Sequence, residues 1–306
     1  MSKCVSRDDT RQALIGPIAS VRIPFTRDGE IDYASLRNSI DFDVSAGAKT
    51  LLLTYGDSLF SLLTDQEVAD ITKAVVEHAA GRAMVVAADR QWATPKAAEF
   101  AQYARDVGAD VVMVLPPSWG GSVTAETLVE HYAAVAVHMP VMVVTGAFVA
   151  RPAMGLEVVK RLINDVPNVV AVKDDVCGEL ARRLCSLVYG NLAVFSGGQK
   201  QNHLDVHPYG CDGYLSTFLT FKPHIAHVYW DAIEAGNIPA AVEVIRRYDS
   251  PYFDFVFDLP GGFDAGIHGA LELFGIAPRW RRKPYHSLND AEMERLADFL
   301  RRLSLL

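Results

Sequence analysis

The sequence predicts a (β/α)8 barrel with a C-terminal helical extension, and three observations carry that expectation. Short apolar runs rich in β-branched residues alternate with longer stretches of helical period, the pattern of repeated βα units around a parallel sheet. The runs number eight, the count that closes such a barrel. The chain has 306 residues, more than the roughly 250 of a bare barrel, so a remainder is expected after the eighth strand.

In chain order the predicted strands are PIASVRI (17–23), TLLLT (50–54), AMVVAA (83–88), DVVMVL (110–115), VMVVT (141–145), NVVAVK (168–173), LAVFS (192–196) and GYLS (213–216). An open doubly wound sheet is the alternative, but GPIASVRIPF stands at the first strand and no GxGxxG follows it. Among the helices, Thr64 and Glu67 form a capping-box pattern ahead of VADITKAVVEHAA, and Thr94 precedes PKAAEFAQYARDVG with Pro95 at a position helices accept. The barrel is assigned to 12–235. The extension, 236–306, reads as three helices, IPAAVEVIRRYD, DAGIHGALELFG and DAEMERLADFLRRL, the last capped by Asn289.

Half of the residues are apolar, and 29 basic against 37 acidic residues give a net charge of −8. With no basic run, nucleic acid is a poor partner and a small molecule a better one. No apolar segment approaches the roughly 20 residues that span a bilayer, and none opens the chain as a signal peptide, so a soluble cytoplasmic protein is expected. Cys4, Cys177, Cys185 and Cys211 form no CxxC pair and read as reduced thiols, Cys177 being a reactive candidate near Lys173.

Lys173 ends the sixth predicted strand, where barrels of this class place their chemistry. Alternation sets Val169, Ala171 and Lys173 on one face and Asp174 on the other. Burial among apolar neighbours lowers an amine's pKa, freeing it to attack a carbonyl; the iminium formed is an electron sink that makes or breaks an adjacent carbon–carbon bond. The plainer alternative is an idle lysine paired with Asp174 or Asp175.

The stretches IPFTRDGEIDYASLRNSIDFDVSAGA, TYGDSLFSLLTDQE, VVMVLPPSW, NVVAVKDD, FSGGQ, GCDGYLST and RKPYHSLNDAEMERL, in this order, resemble the dihydrodipicolinate synthase and N-acetylneuraminate lyase family. That resemblance implies a class I, Schiff-base-forming lyase or aldolase acting on pyruvate or a related 2-keto acid, with no cofactor and with a homo-oligomeric assembly, a dimer or tetramer, of the family kind. Its Schiff-base lysine falls on Lys173. Its Gly-Thr-Thr-Gly-Glu carboxylate loop falls on Leu53, Thr54, Tyr55, Gly56 and Asp57, and the later segments add Gly197, Tyr214 and Leu215 to the substrate contacts. The family's proton-relaying tyrosine falls on Val144, its second-substrate arginine on Val149 with Arg151 two places on, and its paired tyrosines on Ser118 and Trp119. Tyr55 is the expected substitute relay, with Thr54, Thr145, Asp57 and Tyr214 as further groups near the strand ends.

Three further features carry less. His203 and His207, four apart, would share a helix face and keep a metal-dependent aldolase as a rival. Gly197-Gly198 suits a phosphate loop or a tight turn, and Trp119-Gly120-Gly121 suits a pocket wall or a lid. A family member that binds a keto acid without turnover is the other alternative.

Overall fold

A computed structural model describes residues 5–306, so Cys4 lies outside the described residues. Eight strands close a barrel in sequence order: β1 (Gly16–Ser20), β2 (Thr50–Leu52), β3 (Met84–Ala88), β4 (Val111–Val114), β5 (Val141–Val144), β6 (Val169–Asp174), β7 (Ala193–Ser196) and β8 (Gly213–Leu215). Every neighbouring pair is parallel, and β8 returns to β1 through Gly16–Gly213, Pro17–Tyr214 and Ile18–Leu215. The eight-strand expectation holds. β1 stops earlier than the apolar run: Val21 still donates to the Leu52 carbonyl, but Pro24 has no N–H with which to extend the ladder.

The register slips between Val141 and Met142 on β5, which pair with Val169 and Ala171 on β6. Val170 is thus an extra residue, and such a bulge re-aims the end of its strand. Beyond it, Val144 lies opposite Lys173.

Helices α1 (Arg7–Leu14), α2 (Tyr33–Ser45), α3 (Asp65–Ala79), α4 (Thr94–Val107), α5 (Ala125–Ala136), α6 (Pro152–Asp165), α7 (Gly178–Val188), α8 (Gln199–Val206) and α9 (Pro223–Glu234) accompany the strands. The capping box of α3 forms, Glu67 N–H donating to Thr64 Oγ1 at 3.2 Å and Thr64 N–H to Glu67 Oε2 at 2.7 Å. Thr94 does not cap α4 but is its first residue, its hydroxyl meeting His131 Nδ1 at 2.8 Å. α1, which the sequence analysis did not assign, closes the N-terminal end of the barrel: Arg7 Nε donates to Val169 O and Arg11 to Leu192 O.

The extension holds four α-helices where three were expected: α10 (Ile238–Val244), α11 (Ser250–Phe257), α12 (Gly262–Leu273) and α13 (Asp290–Arg302), with a π-helical turn at Ile245–Asp249 between the first two. Two apolar cores result. One fills and surrounds the barrel; the other runs from Tyr214 and Phe218 through Tyr229 to Tyr252 and the extension. Lys200 on α8 and Asp249 on the π turn join them as an ion pair at 3.0 Å with both side chains fully enclosed. Among the described residues, no helix is long and apolar enough to cross a membrane.

Candidate active site

A cavity of about 300 Å3 opens at the C-terminal ends of β2 to β6. Thr54, Tyr55 and Gly56 line it from the loop after β2, Asp89 from the end of β3, Val144 from β5 and Asp175 from the end of β6. This volume is at the small end of ligand sites and suits a substrate of a few heavy atoms.

Lys173 is 5 % exposed at the end of β6. Its Nζ pairs with the Asp175 carboxylate, and Asp175 together with Val144, the register neighbour of Lys173, forms part of the cavity wall. The amine therefore lies behind the cavity wall with one carboxylate partner, not among apolar groups alone. That partner is Asp175 and not Asp174, for Asp174 is itself enclosed: its Oδ1 accepts from Thr145 Oγ1 at 3.1 Å and its Oδ2 from the Cys177 N–H at 3.1 Å. Burial raises the Asp174 pKa, and these bonds oppose the rise.

Gly197 explains how Asp175 reaches the amine. A Cβ at that position would lie 1.9 Å from Asp175 Oδ1, while its N–H donates to Asp174 O at 2.7 Å. Gly197 thus serves the site by leaving room for a carboxylate, in a tight turn that also contains Gly198, whose own Cβ would strike Asn202.

In the loop after β2 the chain folds back on itself: Thr54 N–H donates to Ser58 Oγ, and Ser58 and Phe60 N–H groups return to Thr54 and Tyr55 carbonyls. The N–H groups of Tyr55 and Gly56 bond to no other described residue and flank the cavity, as a carboxylate-binding loop requires. Asp57 is drawn away to Arg22 at 3.4 Å and does not line the cavity.

Several expected contacts lie elsewhere. Tyr214 is wholly enclosed outside the barrel, its ring 5.2 Å from that of Tyr229 and its hydroxyl donating to Ala226 O, because the one-residue alternation of β8 turns it toward α8 and α9. Leu215 faces the barrel core but does not line the cavity. Thr145 is buried with its hydroxyl committed on both sides, donating to Asp174 and accepting the Asp175 N–H at 2.8 Å. Trp119 is 92 % exposed rather than a pocket wall, and Val149 also faces outward. Arg151 ties down the loop after β4 through Gly121 O and Val123 O.

His203 and His207 do share a helix face, with ring centroids 5.2 Å apart, but His203 is enclosed with Nδ1 against Tyr229 Oη at 2.8 Å. Burial takes the His203 pKa down to about 3, so it serves the second core as a neutral ring. Asp205, beside them, pairs with Arg182 on the surface. The Cys177 thiol is pushed up to about 11, by burial first and then by Asp174 and Asp175, which opposes the thiolate that a reactive cysteine needs.

The sequence analysis missed Asp89, Gln91 and Asp175 as cavity residues. The signal was available for Asp89, which directly follows the predicted strand AMVVAA as Lys173 ends NVVAVK. Asp175 needed the turn geometry around Gly197.

With this geometry in hand, relatives are informative. The chain is 27 % identical over 302 residues to the 4-hydroxy-tetrahydrodipicolinate synthase of Dechloromonas aromatica (strain RCB), covering 96 % of this chain and 99 % of that one. It is 32 % identical over 245 residues to the enzyme of the same name from Psychrobacter arcticus, covering 78 % and 79 %. Among solved structures, a prophage protein of the dihydrodipicolinic acid synthase family from E. coli K12, in complex with pyruvate, superposes with a TM-score of 0.81 at 23 % identity, covering 95 % of this chain and 99 % of that one. The profile of the dihydrodipicolinate synthetase family matches residues 13–303, so the barrel, its extension and the lysine strand lie within one match, and the chain belongs to that family.

Proposed function

We propose that this protein is a class I lyase or aldolase that binds pyruvate or a close 2-keto acid as a Schiff base on Lys173. The observation that carries the reading is the placement of Lys173: a buried amine at the C-terminal end of β6, behind the wall of a small cavity and beside a carboxylate that lines it. A lysine must shed a proton to attack a carbonyl, and Asp175 stands where that proton can go. The keto acid's own carboxylate meets the Thr54 hydroxyl and the N–H groups of Tyr55 and Gly56. Pyruvate as the probe is supported by the complex of the E. coli relative, and homo-oligomeric assembly remains the expectation drawn from the family.

The second reactant is uncharged on this reading. Among the described residues that line the cavity there is no arginine, lysine or histidine to clamp a second carboxylate, and the keto acid's own carboxylate already takes the N–H groups of the loop after β2. This separates the reading from a synthase whose second substrate bears carboxylates, and it favours a hydroxy-keto acid whose only charge is its own keto-acid carboxylate, split into pyruvate and an uncharged aldehyde, or the reverse condensation.

Incubation with pyruvate and sodium borohydride followed by mass spectrometry tests the reading. Reduction is expected to fix one pyruvyl unit on the peptide containing Lys173, and Lys173→Met is expected to abolish it. Bound pyruvate with no fixed adduct would establish a binder in place of a lyase.

A further inference from the structure

Making and breaking a bond beside an iminium requires a group that moves protons on the substrate face, and β5 supplies none. Val144 carries no proton, and Thr145, the next residue, has its hydroxyl committed to Asp174 and Asp175. Asp57 is held by Arg22, and Tyr214 lies outside the barrel. We propose that Asp89, at the C-terminal end of β3, is the catalytic residue that exchanges protons with the Schiff-base intermediates. This rests on the Lys173 reading and adds the identity of its acid–base partner.

The geometry is specific. Asp89 is 1 % exposed and lines the same cavity as Asp175 and Tyr55. One oxygen is fixed: Oδ1 accepts the Leu115 N–H at 2.8 Å and, at 3.4 Å, the Gln91 N–H, which orients the carboxyl across the ends of β3 and β4. The other, Oδ2, is buried without a hydrogen-bond partner among the described residues. A buried oxygen left unmatched is destabilising, and a bound hydroxyl or a carried proton would remove that penalty.

The surroundings support the role. Burial raises the Asp89 carboxyl to about 7 against the pull of the Leu115 and Gln91 N–H bonds, and a proton carrier works best near the operating pH. The other titratable groups about it are Tyr55 after β2, the Asp175–Lys173 pair after β6, and Tyr132 on α5, a phenol with an unmatched hydroxyl that burial first, and then the charge of Asp89, hold in its neutral form. Arg90, the next residue, turns away to Asp65 at 2.9 Å, so no cation draws the carboxyl back to its ordinary range.

In the cleavage direction, ionised Asp89 takes the proton of the substrate hydroxyl at C4. The C3–C4 bond breaks, its electron pair passes to the iminium nitrogen as the enamine forms, and the C4 fragment leaves as an aldehyde. Asp89 then returns that proton to C3 of the enamine, and water hydrolyses the resulting iminium to release pyruvate and the free amine. The proton lost by oxygen is the one gained by carbon, and no oxidant or reductant is needed.

Pyruvate alone tests this, because the enzyme's enamine exchanges the pyruvate methyl protons with solvent deuterium, a reaction followed by NMR. In the wild type the exchange rate should rise with pH through about 7, as Asp89 becomes the carboxylate base. Asp89→Asn should slow exchange at least about 100-fold and remove that inflection, while borohydride still fixes pyruvate on Lys173 and so reports an intact fold. An Asn variant that keeps both adduct and near wild-type exchange overturns the role of Asp89 and leaves Lys173 standing. A wild type that forms no adduct overturns both. If the variant forms no adduct, the wild-type profile decides, and a flat profile between pH 6 and 8 overturns the assignment.

Discussion

In the proposed mechanism, Tyr55 helps to bind the keto acid and Asp89 takes the proton-transfer role that a tyrosine on β5 would fill. Tyr55 comes from a loop whose free N–H groups suit a carboxylate, whereas Asp89 comes from a strand end and carries an unmatched oxygen. Tyr55→Phe keeps those N–H groups and is therefore expected to leave the pyruvate KM and the exchange rate at saturating pyruvate each within about threefold. Loss of exchange with an unchanged KM would move the proton-transfer role to Tyr55. Of these residues, Lys173 was legible in the sequence because a charge at the end of an apolar run is conspicuous. Asp89 had the same position but no partner to advertise it; only the cavity and the orphaned oxygen single it out. Tyr214 was misplaced because the sequence shows the alternation of a three-residue strand but not which side faces inward.

At the scale of the element, the strands were legible because a parallel barrel buries both faces of each strand, leaving unbroken apolar runs, rich in valine, such as Val111–Val114 and Val141–Val144. Helices with irregular polarity were not. α1 is mostly polar (RDDTRQAL) and earns its place through two arginines capping strand-end carbonyls, and α11 (SPYFDFVF) follows without a break from a π turn that shifts its apolar face. Barrel closure depends on a residue without a side chain. A Cβ on Gly213 would lie 2.1 Å from Leu14 O and 2.5 Å from Gly16 O, both backbone atoms that cannot swing aside. Gly213→Ala should lower stability by about 3 kcal/mol, read as a reduced denaturant midpoint with an unchanged m-value.

Across the whole molecule, the C-terminal segment is fastened back to the barrel by Arg282, which donates to Gly29 O, Leu62 O and both oxygens of Glu67 on α3. The Arg282 guanidinium holds the Glu67 carboxyl down to about 2 from an ordinary 4.5. A depressed folded pKa stabilises fully above the unfolded value, and that contribution fades as pH falls toward the folded one. The stability difference between the wild type and Glu67→Gln should therefore be constant above pH 4.5 and shrink between pH 4.5 and about 2, measured by denaturation at each pH. The family resemblance made this scale legible in outline, since it spans nearly the whole chain, but not the fastening, which joins residues more than two hundred positions apart.

β8 presents Leu215 to the barrel core and Tyr214 to the second core, so one short strand is a wall shared by two rooms. A chain truncated after residue 235 would keep all eight strands yet leave Tyr214, Phe218 and Tyr229 stripped of their outer cover and Lys200 without its counter-ion. Such a fragment should clump or melt rather than survive as a minimal enzyme, and circular permutants that open the chain elsewhere should tolerate the cut better than any deletion of the tail.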